Sequence, residues 1–396
     1  MKISDKEIDE LIANSQWRKV IENLIEIIQN DNASLHDYTA FVEAVSRGEF
    51  EDCYEIAFNC FIKASQIQGV PANILHKLYA LTEPIIKRLN FFYFDDKNSK
   101  NIPVEFYLRA RFMLFITASK YNDAILTINK LIQQKPAPEY YFQRSKIFGM
   151  QKKFKFAIED INTAIKIQPS EFLFYQRALL KQKMRDYKGA LFDFDSAINC
   201  NSKNFQYYFD RGMLQENMEH YKNASDDFKK VVKLNPGYVE AFQELAWCKY
   251  KMQKPQEGLT FINIAMQLDK NNAGSFYIKG CIDNSMKKYG EAILSLSQAI
   301  LLDNQSDKTY SAKFYHQKAW SEFQLKKYAE AQKDINKAIT LNPKNISFYF
   351  MAMDIEFFGI KNYYAAQGYA KTILKMDNQN QRAIAALKEI NDKIAF

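Results

Sequence analysis

The chain has 396 residues, with 12 Gly, 9 Pro, 47% hydrophobic and 25% charged side chains. So little turn chemistry excludes a loop-rich or disordered chain and points to a helix-rich protein with material for a large core. A net charge of +8 permits acidic partners without demanding nucleic acid, and five dispersed cysteines with no C-x-x-C pair exclude a disulfide scaffold or a zinc ribbon.

At the N-terminus, MKISDKEIDELIA places acids where a signal peptide needs an apolar stretch. No window reaches the ~18 uninterrupted apolar residues of a membrane span. A cytoplasmic address without membrane insertion is therefore expected. Over 1–104 the patterning is faint: Trp17 is followed by Val20, and Phe50 by Cys53, which marks about three divergent helical pairs. The segment FFYFDDKNSKN (91–101) reads as a loop.

From about residue 105 the chain repeats itself. Tyr121, Phe154, Tyr187, Tyr221, Tyr289, Tyr328 and Tyr363 recur, with Pro255 standing in for one aromatic. The steps between them are 33, 33, 34, 34, 34, 39 and 35 residues. Three positions after each comes a small residue, from Ala124 and Ala157 to Gly258 and Ala366. Twelve before that stands another residue without bulk in most units, such as Ser145, Gly212 and Gly280, with Asp354 breaking the rule. A large side chain always precedes it by four. Small residues are needed where two helices cross closely, and the bulky neighbour fills the space beside the crossing. Period and pattern predict eight units of two antiparallel helices over 105–380.

The 39-residue step falls at 301–314 (LLDNQSDKTYSAKF), which reads as a longer solvated turn. After 380, Ala383, Leu387, Ile390 and Ile394 share one helical face, which predicts a capping helix over 381–396.

Catalytic motifs are missing from the sequence: no Gly-rich phosphate loop, H-E-x-x-H or G-x-S-x-G occurs. The histidines (His36, His76, His220, His316) lack metal-ligand spacing, so no metal or other cofactor is expected. Acidic pairs such as Asp226–Asp227 read as solvated helix faces.

Eight units at a period near 34 resemble the tetratricopeptide repeat family over about 105–380. That resemblance implies an all-α, right-handed superhelical solenoid of stacked antiparallel helix pairs, in which 1–104 continues the same solenoid. It also implies that the first helix of each unit lines a concave groove. Carried onto this chain, the groove positions include Phe142, Lys146, Tyr175, Leu179, Phe209, Met213, Trp247, Tyr250, Tyr277, His316 and Trp320. The set is aromatic and apolar. It lacks the Lys, Asn and Arg pattern by which chaperone-adaptor members clamp a C-terminal carboxylate, which counts against a chaperone cofactor of that type. Such a groove suits an amphipathic helix or an extended apolar segment of one or more partner proteins, with rigid aromatics as anchors.

A second pattern precedes the signature aromatics: Lys120, Lys152, Lys153, Lys183, Arg185, Lys287, Lys288, Lys326 and Lys327. As cations beside a helix C-terminus they complement its dipole. Lined along one edge, they offer a dock for an acidic surface such as a tubulin tail, the reading that would make the chain a cytoskeletal or ciliary assembly component. RNA binding is disfavoured because the stripe lacks interleaved aromatics. The expectation is a noncatalytic protein-interaction scaffold.

Overall fold

The computed structural model describes residues 4–29, 33–48, 119–304 and 307–395, with scattered positions between 50 and 116. The expected loop at 91–101 lies outside the described residues. Among the described residues every regular element is helical. The order is α1 (Asp5–Ala13), α2 (Trp17–Gln29), α3 (Leu35–Gly48), α4 (Tyr121–Gln134), α5 (Pro138–Met150), α6 (Phe154–Ile167), α7 (Glu171–Lys183) and α8 (Tyr187–Cys200). Next come α9 (Phe205–Asn217), α10 (Tyr221–Leu234), α11 (Val239–Lys251), α12 (Pro255–Leu268), α13 (Ala273–Ser285) and α14 (Tyr289–Leu302). The last are α15 (Lys308–Gln324), α16 (Tyr328–Leu341), α17 (Ile346–Asp354), α18 (Tyr363–Met376) and α19 (Gln381–Ile394), with a π-helical stretch, Ile355–Ile360, continuing α17. The chain divides into two compact units, Met1–Ala190 and Leu191–Phe396, with the boundary inside α8.

One turn recurs throughout. The residue two before each second helix adopts a left-handed backbone: Ser15, Ser119, Lys152, Arg185, Glu219, Gln253, Lys287, Lys326 and Lys361 all have φ between 54° and 64°. At α5 the Lys152 N–H donates to the Gly149 carbonyl and the Lys153 N–H to that of Phe148, two otherwise orphaned helix-end acceptors. Most other pairs repeat this arrangement, including α1–α2, where Ser15 and Gln16 donate to Ile12 and Leu11. None of these positions is Gly, although a non-Gly residue there is disfavoured by roughly 1–2 kcal/mol. Many of the helices that follow a second helix start instead on side-chain caps. Ser170, Asn204, Asn272, Asn345 and Asn380 each accept a backbone N–H of the first turn.

In the unit Met1–Ala190, α1, α2 and α3 bury Ile8, Val20, Leu24, Phe41 and Val45, with Trp17 packed at the margin. Further along, Phe112, Phe115, Ala124, Ile128 and Leu131 form a second cluster, and Ile161, Ala164 and Leu173 a third.

In the unit Leu191–Phe396, the crossings inside each pair are set by matched volumes. A Cβ on Gly212 would lie 2.8 Å from the Phe228 ring, and one on Gly280 2.5 Å from Leu296. Each partner lies sixteen residues on and is fully buried, so at these two crossings only glycine leaves room for the bulk of the second helix, whereas Ala246 and Ala319 suffice opposite Ile262 and Ile335. The final pair inverts the scheme. Ala370 is the small residue there, and Met353 packs against it in the same buried cluster.

That inversion exposes a register shift. Counting back from Tyr363 puts Asp354 at the crossing, whereas Met353 occupies it. The 35-residue step carries one extra residue, which the π-helical turn absorbs within the helix. The insertion at 301–314 also takes a different form. Leu301 and Leu302 end α14, and Lys308–Phe314 belong to α15, a helix of 17 residues where α9, α11 and α13 have 13 each. Asp307 caps it by accepting from the Thr309 and Tyr310 N–H groups, so most of the inserted residues become an added helical turn.

Candidate protein-binding site

Four of the first helices in Leu191–Phe396 (α9, α11, α13 and α15) carry a row of aromatic side chains. Phe209 packs on Phe228 at 5.7 Å and on Tyr238 at 5.1 Å. Trp247 lies 5.1 Å from Tyr250 and 6.5 Å from Tyr277, and the Tyr277 ring stands 5.2 Å from Phe314. The added turn of α15 brings in Tyr310, 5.8 Å from Tyr277 and 5.1 Å from Phe314. Lys251 sits 5.0 Å over the Trp247 ring and Lys313 5.4 Å over Tyr310. Contacts of this kind lock ring orientations before any partner arrives.

The proposed groove residues divide by exposure. Trp320 is 41% exposed, while Phe209, Met213, Trp247, Tyr250 and His316 are half-buried. Tyr277, at 8%, is buried beneath its neighbours and supports the surface from below. His316 stacks on Phe348 at 5.0 Å, and burial holds its imidazole below the usual range, so the ring faces the site uncharged at neutral pH. In the other unit, Phe142 and Tyr175 are half-buried with Leu179, Phe142 meets Phe172 edge-on at 4.9 Å, and Lys146 is exposed with its ammonium 5.8 Å from the Phe142 ring. Sequence reasoning missed Tyr310, because it treated the inserted residues as a loop.

Beside Trp247, the carboxyls of Glu216 on α9 and Glu244 on α11 act on each other. Burial pushes both carboxyls upward, and for Glu244 the neighbouring Glu216 adds to the effect. The Glu244 side chain and the Lys251 ammonium pull Glu216 the other way. Two like charges this close cannot both form, so the pair retains a proton into the neutral range.

A third constellation replaces an expectation. Asp227 is not solvated: it is 4% exposed and accepts two hydrogen bonds from Arg211, at 2.8 and 2.5 Å. Arg144 grips Asp160 likewise at 2.8 and 2.6 Å, Lys279 reaches Ser295 at 3.2 Å, and Lys318 pairs with Asp334. All four pairs are sixteen residues apart, joining first helix to second inside a pair. In three of the four the signal was present as a recurring basic–acidic spacing. These cations are committed internally and are not offered to a partner. Near the N-terminus the fold also gathers Asp5, His36 and Asp37, with His36 Nε2 3.1 Å from Asp9, an approach that sequence spacing did not show.

The proposed basic-edge residues Lys120, Lys152, Lys153, Lys183, Arg185, Lys287, Lys288, Lys326 and Lys327 are all exposed. Lys120, Lys153, Lys288 and Lys327 are also the N-cap residues of α4, α6, α14 and α16, without a side-chain cap bond. The favourable interaction with one helix dipole is thus offset by the unfavourable one with the next.

Helix pairs of this length, repeated with the same crossing and the same turn, define a helical-repeat protein. The chain contains tetratricopeptide repeats: two tetratricopeptide repeat models match, one at residues 205–238 and one at 312–345. Among solved structures, a tetratricopeptide repeat protein from Parabacteroides merdae is similar, with a TM-score of 0.53 at 17% identity, covering 64% of this chain and 98% of that one. The APC/C hetero-tetramer Cut9–Hcn1 is similar with a TM-score of 0.52 at 12% identity, over 96% of this chain and 82% of the other. No curated protein matches the chain in sequence. No described helix is long and apolar enough to cross a membrane. The fold is one of protein–protein interaction.

Proposed function

We propose that the chain is a noncatalytic scaffold whose first-helix aromatic face binds an apolar segment, helical or extended, of a partner protein. The observation that carries this reading is Trp320, 41% exposed with its ring 6.4 Å from Phe323, on a face where Met213 is half-buried and Phe209, Trp247 and Tyr250 are half-buried and braced by ring contacts. A large aromatic held rigid at a partly open surface loses little entropy on binding, which is why such residues dominate interfaces. The structurally similar Cut9 is seen assembled with Hcn1. Affinity capture with the full chain, compared with a Trp247→Ala, Trp320→Ala double variant, tests the reading. The variant is expected to lose captured proteins without losing its fold, and an unchanged set of partners contradicts the proposal.

A second reading rests on the turn cations. Because Lys288 and Lys327 gain nothing net from the two helix ends they join, dipole complementation does not explain them. An edge that docks on an acidic surface does, and this would suit a cytoplasmic component of the cytoskeleton or a cilium. Salt separates the readings: edge binding weakens steeply between low and physiological ionic strength, and aromatic-face binding hardly responds.

A further inference from the structure

The two most exposed leucines among the described residues lie on one helix and one stripe. Leu294 is 73% exposed and Leu301 76%, both on α14. Seven residues apart, they share a face at a separation of about 10 Å. The equivalent positions are Asp226 and Lys233 on α10, Thr260 and Gln267 on α12, Lys333 and Thr340 on α16, and Gly368 and Lys375 on α18, while α8 carries the exposed Phe192 with a polar Asn199. The architecture therefore tolerates polar groups at both sites, and packing within the fold does not account for the leucines. An isolated exposed Leu needs no explanation, but a paired stripe on a helix already apolar on its inner side does.

Beside the stripe a cleft of about 610 Å³ opens between α14 and α16. Its walls include Ser297, Ile300 and Tyr315 on the apolar side and Lys333 and Lys337 opposite. Lys333 and Lys337 are exposed, one turn apart, and make no ion pair among the described residues. Asp334 in the cleft floor is already held by Lys318, so the cleft presents net positive charge.

We propose that this outer face of α14, with the adjoining cleft, docks an acidic amphipathic segment of a partner protein: apolar side chains on Leu294 and Leu301, carboxylates toward Lys333 and Lys337. Charge selects this occupant over a second copy of the chain, because a symmetric contact would bring the two lysine pairs together. The surface lies on second helices and is independent of the aromatic face of the first helices.

The test places a photo-crosslinking amino acid at position 294 of the full chain, irradiates it in its native extract, and identifies the attached peptide by mass spectrometry. The expected product is an acidic, amphipathic peptide of another protein. Its yield should fall about tenfold on Lys333→Glu, Lys337→Glu, a change of the size two lost charge contacts produce. It should be unaffected by Trp247→Ala, Trp320→Ala, which separates this surface from the aromatic face. Leu294→Gln, Leu301→Gln should melt with the parent chain and abolish retention of the same partner. Attachment to a second copy of the chain, to a peptide without acidic character, or to nothing would overturn the proposal. So would a yield indifferent to the lysine reversals.

Discussion

Two junctions between consecutive first helices use the same repeat positions with opposite chemistry. Between α13 and α15 the groups are neutral: the Asn284 amide donates to the Gln317 carbonyl oxygen, and the buried Ser321 hydroxyl donates to Asn284 Oδ1 at 2.7 Å. Between α9 and α11 the equivalent positions hold Glu216 and Glu244, two half-buried carboxyls that burial pushes upward and whose charges would repel if both ionised. The backbone frame is common to both, so the difference lies in the side chains alone. One junction is satisfied at any ordinary pH. The other is satisfied only below the pH at which its second carboxyl ionises.

The comparison breaks most visibly if the acid pair is moved. Asn284→Glu with Gln317→Glu should lower stability at pH 8 by about 2–4 kcal/mol, because a buried network is replaced by charges that repel. The loss should be much smaller at pH 5, as thermal unfolding at the two pH values would show. In the reverse direction, Glu244→Gln should raise stability at pH 8 by about 1–3 kcal/mol. The sign follows from linkage. A carboxyl raised in the folded state favours folding least once the unfolded chain has ionised, so stability is greatest below the ordinary glutamate range and declines as pH rises toward the folded value. Glu244→Gln should flatten that decline, and a decline that persists unchanged would remove Glu244 as its source.

Ser321→Ala should lower stability by about 1 kcal/mol at every pH, since it orphans one neutral acceptor and moves no titrating group. The smallest effect concerns the shared turn: Lys287→Gly should raise stability by a few tenths to 1 kcal/mol, because glycine accepts φ near 60° without strain. A β-branched residue there should do the opposite.

Period, helix pairing and the small residues at the crossings were legible in the sequence because each unit restates the same volume rule. The two length anomalies were visible as numbers but not as structures. An extra residue before Tyr363 is as compatible with a longer turn as with a π-helical one, and only the packing of Met353 against Ala370 decides. The inserted residues at 301–314 read as a polar loop, yet Asp307 supplies a cap and the Tyr310 ring a neighbour in Tyr277, which makes an added turn favourable. The acid junction was hidden because Glu216 and Glu244 are 28 residues apart and belong to different pairs. The aromatic face was readable position by position, but the burial of Tyr277 was not: it depends on Tyr310 arriving from the next pair.

The most direct test of the aromatic face is hydroxyl-radical footprinting of the full chain alone and in complex with a partner recovered by capture. Oxidation of Trp320, and to a lesser extent of Trp247 and Met213, should fall severalfold in the complex while Trp17 is unaffected. Unchanged oxidation at Trp320 in a complex that demonstrably forms would contradict the account.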